Sequence, residues 1–125
     1  MRKPKKKKIL IIDANRKHLN YVKTCVEIHQ AKPLVASDWH TGFETARREK
    51  PDAIFVDDSI PGTSPKEISE KFKTDPDTTR IPVTFLTSHT QVPPEKHTEA
   101  VEGHRYLSKA LDPRDFINRM PRYLP

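Results

Sequence analysis

Two aspartates, a threonine and a lysine, scattered over almost a hundred residues, share one local setting. Asp13 follows the apolar run Ile9 to Ile12, Asp57 follows Ala53 to Val56, Thr87 closes Ile81 to Thr87, and Lys109 follows His104 to Ser108. Each run has the length of a strand, and an unbroken apolar run of that length suits a strand buried on both faces of a parallel sheet. The carboxyl ends of such strands lie along one edge, where open α/β sheets place ligands and chemistry. Two carboxylates, a hydroxyl and an ammonium therefore converge if the runs are parallel neighbours. Taken one at a time, each is explained as a polar residue that merely ends a buried strand. Taken together, with these types at these ends, they make a site.

The segments between the runs are helical by pattern. From Arg16 to His29 the residues Leu19, Val22, Cys25, Val26 and His29 recur at three- and four-residue steps behind Asn15, an N-cap type. Pro33 to Ala36 reads as a further strand. It is followed by a helix with Phe43 and Ala46 on one face that stops before Pro51. Ser64-Pro65-Lys66-Glu67 is a helix start with a cap, a proline at the first helical position and a capping-box acid, and the helix runs to about Lys73 with Ile68 and Phe72 inward. Glu95 to Glu102 is at best a short polar helix. Asp112-Pro113 starts the last helix, with Phe116, Met120 and Leu124 facing in. Strand and helix alternate five times, which predicts an α/β fold built on a parallel sheet covered on both faces.

A chain of 125 residues is one domain long. The formal net charge of +6 has a local origin. Of the 23 lysines and arginines, six (Arg2, Lys3, Lys5, Lys6, Lys7 and Lys8) precede the first strand, and the remaining 17 equal the 17 acids. The expected division is a flexible basic tail over 1–8 and a neutral domain over 9–125. A nucleic-acid role led by the lysine tail is the weakest reading, since the body carries no basic-aromatic stripe. No run approaches the roughly 20 apolar residues of a membrane span, no signal peptide is read, and Cys25 is single, all of which suit a cytoplasmic protein. The six histidines lack ligand spacing, and three glycines make no phosphate loop.

With these residues in place, the chain resembles the receiver domains of bacterial two-component response regulators, the CheY-like family, over about Lys7 to Arg119, which implies a doubly wound, flavodoxin-like (βα)5 sandwich around a five-stranded parallel sheet of order 2-1-3-4-5. The resemblance is carried by ILIID in the first strand, PDAIFVD with the following IPG, TDPDTTRIPVTFLTS, and YLSKALDP. It implies that Asp57 is the phosphoacceptor, that Thr87 holds a phosphoryl oxygen, and that Lys109 pairs with the acceptor and then with the phosphate. It also implies that Tyr106 is an aromatic switch, although a half-buried strand tyrosine is an equal reading. The implied partners are a histidine kinase or phosphotransfer protein, and a downstream protein bound on the face around the fourth helix, fifth strand and fifth helix (α4-β5-α5). The implied cofactor is Mg²⁺, held by Asp13, Asp57 and the main-chain carbonyl of Ser59. A carboxylate attacks phosphorus as a nucleophile, and the cations neutralise charge gathering on the transferred group.

The pattern breaks at Ala14. The family ends its first strand with two acids and places the second on the metal; a methyl group gives a hard cation no oxygen. Ala110 stands where the family has a proline after the lysine, Trp39 replaces a glycine, and Thr63-Ser64-Pro65 replaces Met-Asp-Gly. Two mechanisms follow: a phosphorelay switch with a weakened Mg²⁺ site, or a pseudo-receiver that binds its partner without phosphorylation. Beyond its own phosphorylation and dephosphorylation, no enzyme activity is expected.

Overall fold

A computed structural model describes residues 6–87, 100–101, 104–109 and 111–125. The elements are β1 (Lys8–Ile12), α1 (Arg16–Ile28), β2 (Lys32–Ala36), α2 (Trp39–Glu49), β3 (Ala53–Asp57), α3 (Pro65–Thr74), β4 (Val83–Thr87), β5 (Ala100–Val101), β6 (His104–Ser108) and α4 (Pro113–Arg119), closed by a 3-10 turn over Met120–Tyr123. The sheet order is β2-β1-β3-β4-β6-β5. Its first five members are parallel, which is the expected 2-1-3-4-5 arrangement, and β5 joins the outer edge antiparallel to β6.

At Ala100 and Val101 that sixth strand corrects the reading of Glu95 to Glu102 as a weak helix. Ala100 pairs with Arg105 and Val101 with His104, as the two arms of a hairpin do. Residues 95–99 and 102 lie outside the described residues. So do Ser88 and Ala110. Lys8, the last residue of the expected tail, already belongs to β1: its N–H donates to Asp52 Oδ2 at 2.8 Å and its ammonium to the Glu49 carbonyl at 2.7 Å. β4 begins at Val83 and not at Ile81, because Ile81 N–H closes a turn onto the Thr78 carbonyl and Pro82 has no N–H for the ladder.

The helix ends follow from local chemistry. Asn15 Oδ1 accepts from His18 N–H at 3.1 Å, Asp38 Oδ1 from Thr41 N–H at 2.8 Å, Ser64 Oγ from Glu67 N–H at 3.2 Å and Asp112 Oδ1 from Arg114 N–H at 2.9 Å. α2 ends with Lys50 in the left-handed region (φ 46°) just before Pro51, which cannot continue a helix. His29, expected on the inner face of α1, caps it instead, and its Nε2 meets the Ile117 carbonyl at 2.8 Å.

Because helices cover both sheet faces, alternate residues of one strand bury into different cores. Ile9, Ile11, Phe55, Leu86 and Leu107 pack with Leu19, Val22, Val26, Phe116 and Met120. Leu10, Ile12, Ile54, Val56 and Phe85 pack with Ala46, Ile68 and Phe72. Cys25 sits in the first core, where burial pushes its thiol up and leaves it unreactive. Gly42 is required by close approach: a Cβ there would stand 2.6–2.9 Å from Ile12. α2 thus rests directly on the last residue of β1, immediately before Asp13. Among the described residues no helix is long and apolar enough to cross a membrane.

Candidate functional site

Strand register builds the site. Ile12 pairs with Val56, so Asp13 and Asp57 leave the sheet side by side; Thr87 pairs with Ser108, so Lys109 follows one step later. Main-chain bonds continue the sheet past its formal ends, from Asp13 N–H to the Ala36 carbonyl (3.1 Å), Asp58 N–H to Leu86 (3.0 Å) and Lys109 N–H to Thr87 (2.7 Å). The three charged side chains are therefore delivered by rigid elements.

Lys109 Nζ donates to Asp57 Oδ1 at 2.7 Å and to Asp13 Oδ2 at 3.1 Å. The side chains are 7%, 6% and 1% exposed for Lys109, Asp57 and Asp13 respectively. Charge-assisted bonds of this length in so little solvent are strong. Removing one partner of a buried pair strands the other's charge at a cost of about 3–5 kcal/mol. The remaining carboxylate oxygens also have partners. Asp13 Oδ1 accepts from Asn15 N–H at 2.9 Å, and Asp57 Oδ2 accepts from Ser59 N–H at 3.3 Å and from Ser59 Oγ at 2.9 Å. A cleft of about 330 Å³ opens over this set, lined by Asp13, Ala14, His18, Asp57, Ser59 and Lys109 among others.

Apart from Tyr106, each site residue expected from the sequence lies at or beside this edge. Thr87 is buried at the end of β4, one residue beyond Leu86, the partner of Asp57. Tyr106 lies deeper in the sheet, half-buried. It is paired with Phe85 across β4 and β6, with their rings stacked at 5.4 Å and 28°. Its main-chain carbonyl accepts from the Tyr123 hydroxyl at 3.1 Å. Two contacts were not read from the sequence. One is the Ser59 hydroxyl on Asp57. The other is His18, whose Nδ1 lies 3.0 Å from Lys109 Nζ. The signal for His18 was its place on the first turn of a helix that starts three residues after Asp13.

Asp13, Asp57 and the Ser59 carbonyl are oxygen donors of the kind Mg²⁺ takes. Among the described residues no three acids, histidines or cysteines gather around a common cation position, and residue 14 brings no third carboxylate. The donor set fits such a cation in type.

A parallel α/β sheet carrying two acids and a lysine at its carboxyl edge is the build of a signalling receiver. Residues 9–120 match the response regulator receiver domain, and the chain belongs to that family. It is 30% identical over 110 residues to the protein PilH of Pseudomonas aeruginosa, covering 84% of this chain and 87% of PilH. The chemotaxis response regulator CheY4 of Vibrio cholerae shares the fold with a TM-score of 0.78 at 21% identity, over 96% of this chain and 100% of that one. The receiver domain of the Pseudomonas aeruginosa sensor histidine kinase PA1611, solved with a magnesium ion coordinated in its active-site cleft, superposes with a TM-score of 0.75 at 18% identity, over 95% of this chain and 98% of that one. Receiver domains of two-component systems generally bind Mg²⁺ in the active site and interact with histidine kinases and downstream effectors.

Proposed function

We propose that this receiver is a phosphorelay switch in which Asp57 accepts a phosphoryl group from a histidine kinase or phosphotransfer protein. The observation that supports it is the sharing of one buried ammonium, Lys109, between Asp57 and Asp13. An Asp57 carboxylate oxygen attacks phosphorus, the new O–P bond forms as the donor's P–N bond breaks, and the electron pair leaves on the donor imidazole. Lys109, already on Asp57, neutralises charge on the transferred group, and the Thr87 hydroxyl donates to one of its oxygens. Tyr106 follows Thr87 and alters the face read by the downstream protein; of the fourth helix expected in that face, residues 95–99 and 102 lie outside the described residues. Asp13, Asp57 and the Ser59 carbonyl would hold Mg²⁺, which when bound supplies further neutralising charge, and Ala14 makes that hold weak.

A second reading, the pseudo-receiver, is favoured by one specific observation: every carboxylate oxygen of Asp13 and Asp57 accepts a hydrogen bond from the protein itself. With one carboxylate fewer, the repulsion that Mg²⁺ relieves is smaller, and the resting site is closer to an active arrangement. Incubation with acetyl phosphate or beryllofluoride across a Mg²⁺ titration separates the two, with Asp57→Asn as blank. An Asp57-dependent mass gain at high Mg²⁺ is the expected result. No response at any Mg²⁺, together with a response in Ala14→Asp, would leave the pseudo-receiver.

A further inference from the structure

We infer that His18 is a positioning residue for Lys109: its unprotonated Nδ1 is the third hydrogen-bond acceptor on the lysine ammonium. An ammonium carries three N–H groups and no lone pair. Lys109 Nζ has three acceptors within reach, Asp57 Oδ1 at 2.7 Å, His18 Nδ1 at 3.0 Å and Asp13 Oδ2 at 3.1 Å. With the side chain 7% exposed, a missing protein partner is costly. The contact also fixes the imidazole: a nitrogen facing an ammonium presents its lone pair, so the ring proton is on Nε2.

The placement of His18 is built into the start of α1. Asn15 N–H donates to Asp13 Oδ1, and Asn15 Oδ1 accepts from His18 N–H. One turn of chain thus orients Asp13 and His18 together, from the two sides of the helix cap. Ala14, between them, gives Lys109 nothing. A neutral imidazole completes the ammonium's bonds without adding a charge to a pocket that has two carboxylates and one cation. With all three N–H groups held, Lys109 stays on Asp57; with the third released, it turns toward solvent and the 2.7 Å contact loosens.

The consequence for phosphoryl capture rests on Asp57 being the acceptor, so the test has two independent readouts on the ¹⁵N-labelled full chain. Long-range imidazole correlations are expected to show His18 Nδ1 bare and Nε2 protonated, with a slowly exchanging Lys109 Nζ resonance. That resonance should be lost in His18→Ala and kept in His18→Asn, whose amide oxygen occupies the Nδ1 position. Beryllofluoride affinity should fall about tenfold in His18→Ala, the weight of one hydrogen bond to a charged group, and return in His18→Asn. A protonated Nδ1, or a Lys109 resonance indifferent to His18→Ala, overturns the inference. Wild-type chain that takes up no beryllofluoride would instead remove the acceptor reading, while the tautomer and the Lys109 resonance still decide the role of His18.

Discussion

The ends of β1 and β3 are the same turn used twice. In each, an aspartate leaves the sheet and its carboxylate accepts the main-chain N–H two residues on, Asn15 to Asp13 at 2.9 Å and Ser59 to Asp57 at 3.3 Å. Each carboxylate gives its other oxygen to Lys109. They diverge in the next residues. After Asp13 the chain passes through Ala14 into the cap of α1, so Asn15 spends its side chain on the helix. After Asp57 the chain turns through Ser59 and Pro61 toward Gly62, which takes a positive φ of 85° that suits its missing side chain. Ser59 keeps its side chain on the carboxylate itself. One turn is tied into a helix and the other into the site. The same pair of carboxylate hydrogen bonds thus gives unequal chemistry, decided by the residues one and two places after the acid.

The largest expected effect breaks the link between the two turns. Lys109→Met leaves two buried carboxylates without their cation and should cost about 3–5 kcal/mol in urea denaturation. Adding Asp13→Asn should recover part of that by removing one stranded charge; no recovery would mean that the turns do not share it. The next effect comes from making the turns chemically alike. Ala14→Asp should lower metal-free stability by about 1 kcal/mol, the repulsion of roughly one pKa unit. Mg²⁺ at a hundredfold over its dissociation constant should add about 2.7 kcal/mol. Thermal melts with and without Mg²⁺ read both, and a melt unmoved by Mg²⁺ would show that residue 14 is not what weakens the site. The smallest effects sharpen the division of labour. Asn15→Ala should lose about 1 kcal/mol of stability with the helix cap. Ser59→Ala should stay within about 0.5 kcal/mol of wild type and change beryllofluoride uptake instead. Equal stability losses in the two would erase the distinction.

The fold was legible because its signals are local and agree with one another. Apolar runs of strand length, Ser64-Pro65 and Asp112-Pro113, and the spacing of Leu19, Val22, Cys25 and Val26 each mark an element without reference to the rest. The edge strand β5 was not legible. Two residues, Ala100 and Val101, are too few to show a period, and what defines them is pairing with Arg105 and His104. In the site, Asp13, Asp57 and Thr87 announced themselves by ending apolar runs, and Lys109 by following a strand-length run. His18 and the Ser59 hydroxyl did not, because a polar residue on an exposed turn has many uses and only the fold brings these two to Lys109 and Asp57.

The hairpin at the sheet edge bears on assembly. A parallel sheet has two outer strands, and an outer strand with open N–H and C=O groups is a template on which other chains stack into fibres. Here one border is a strand of two residues, β5, and the other, β2, opens with Lys32 and Pro33, a charge and a residue with no N–H to offer. Among the described residues neither border offers a long, regular ladder, so these edges are poorly suited to growing by adding strands.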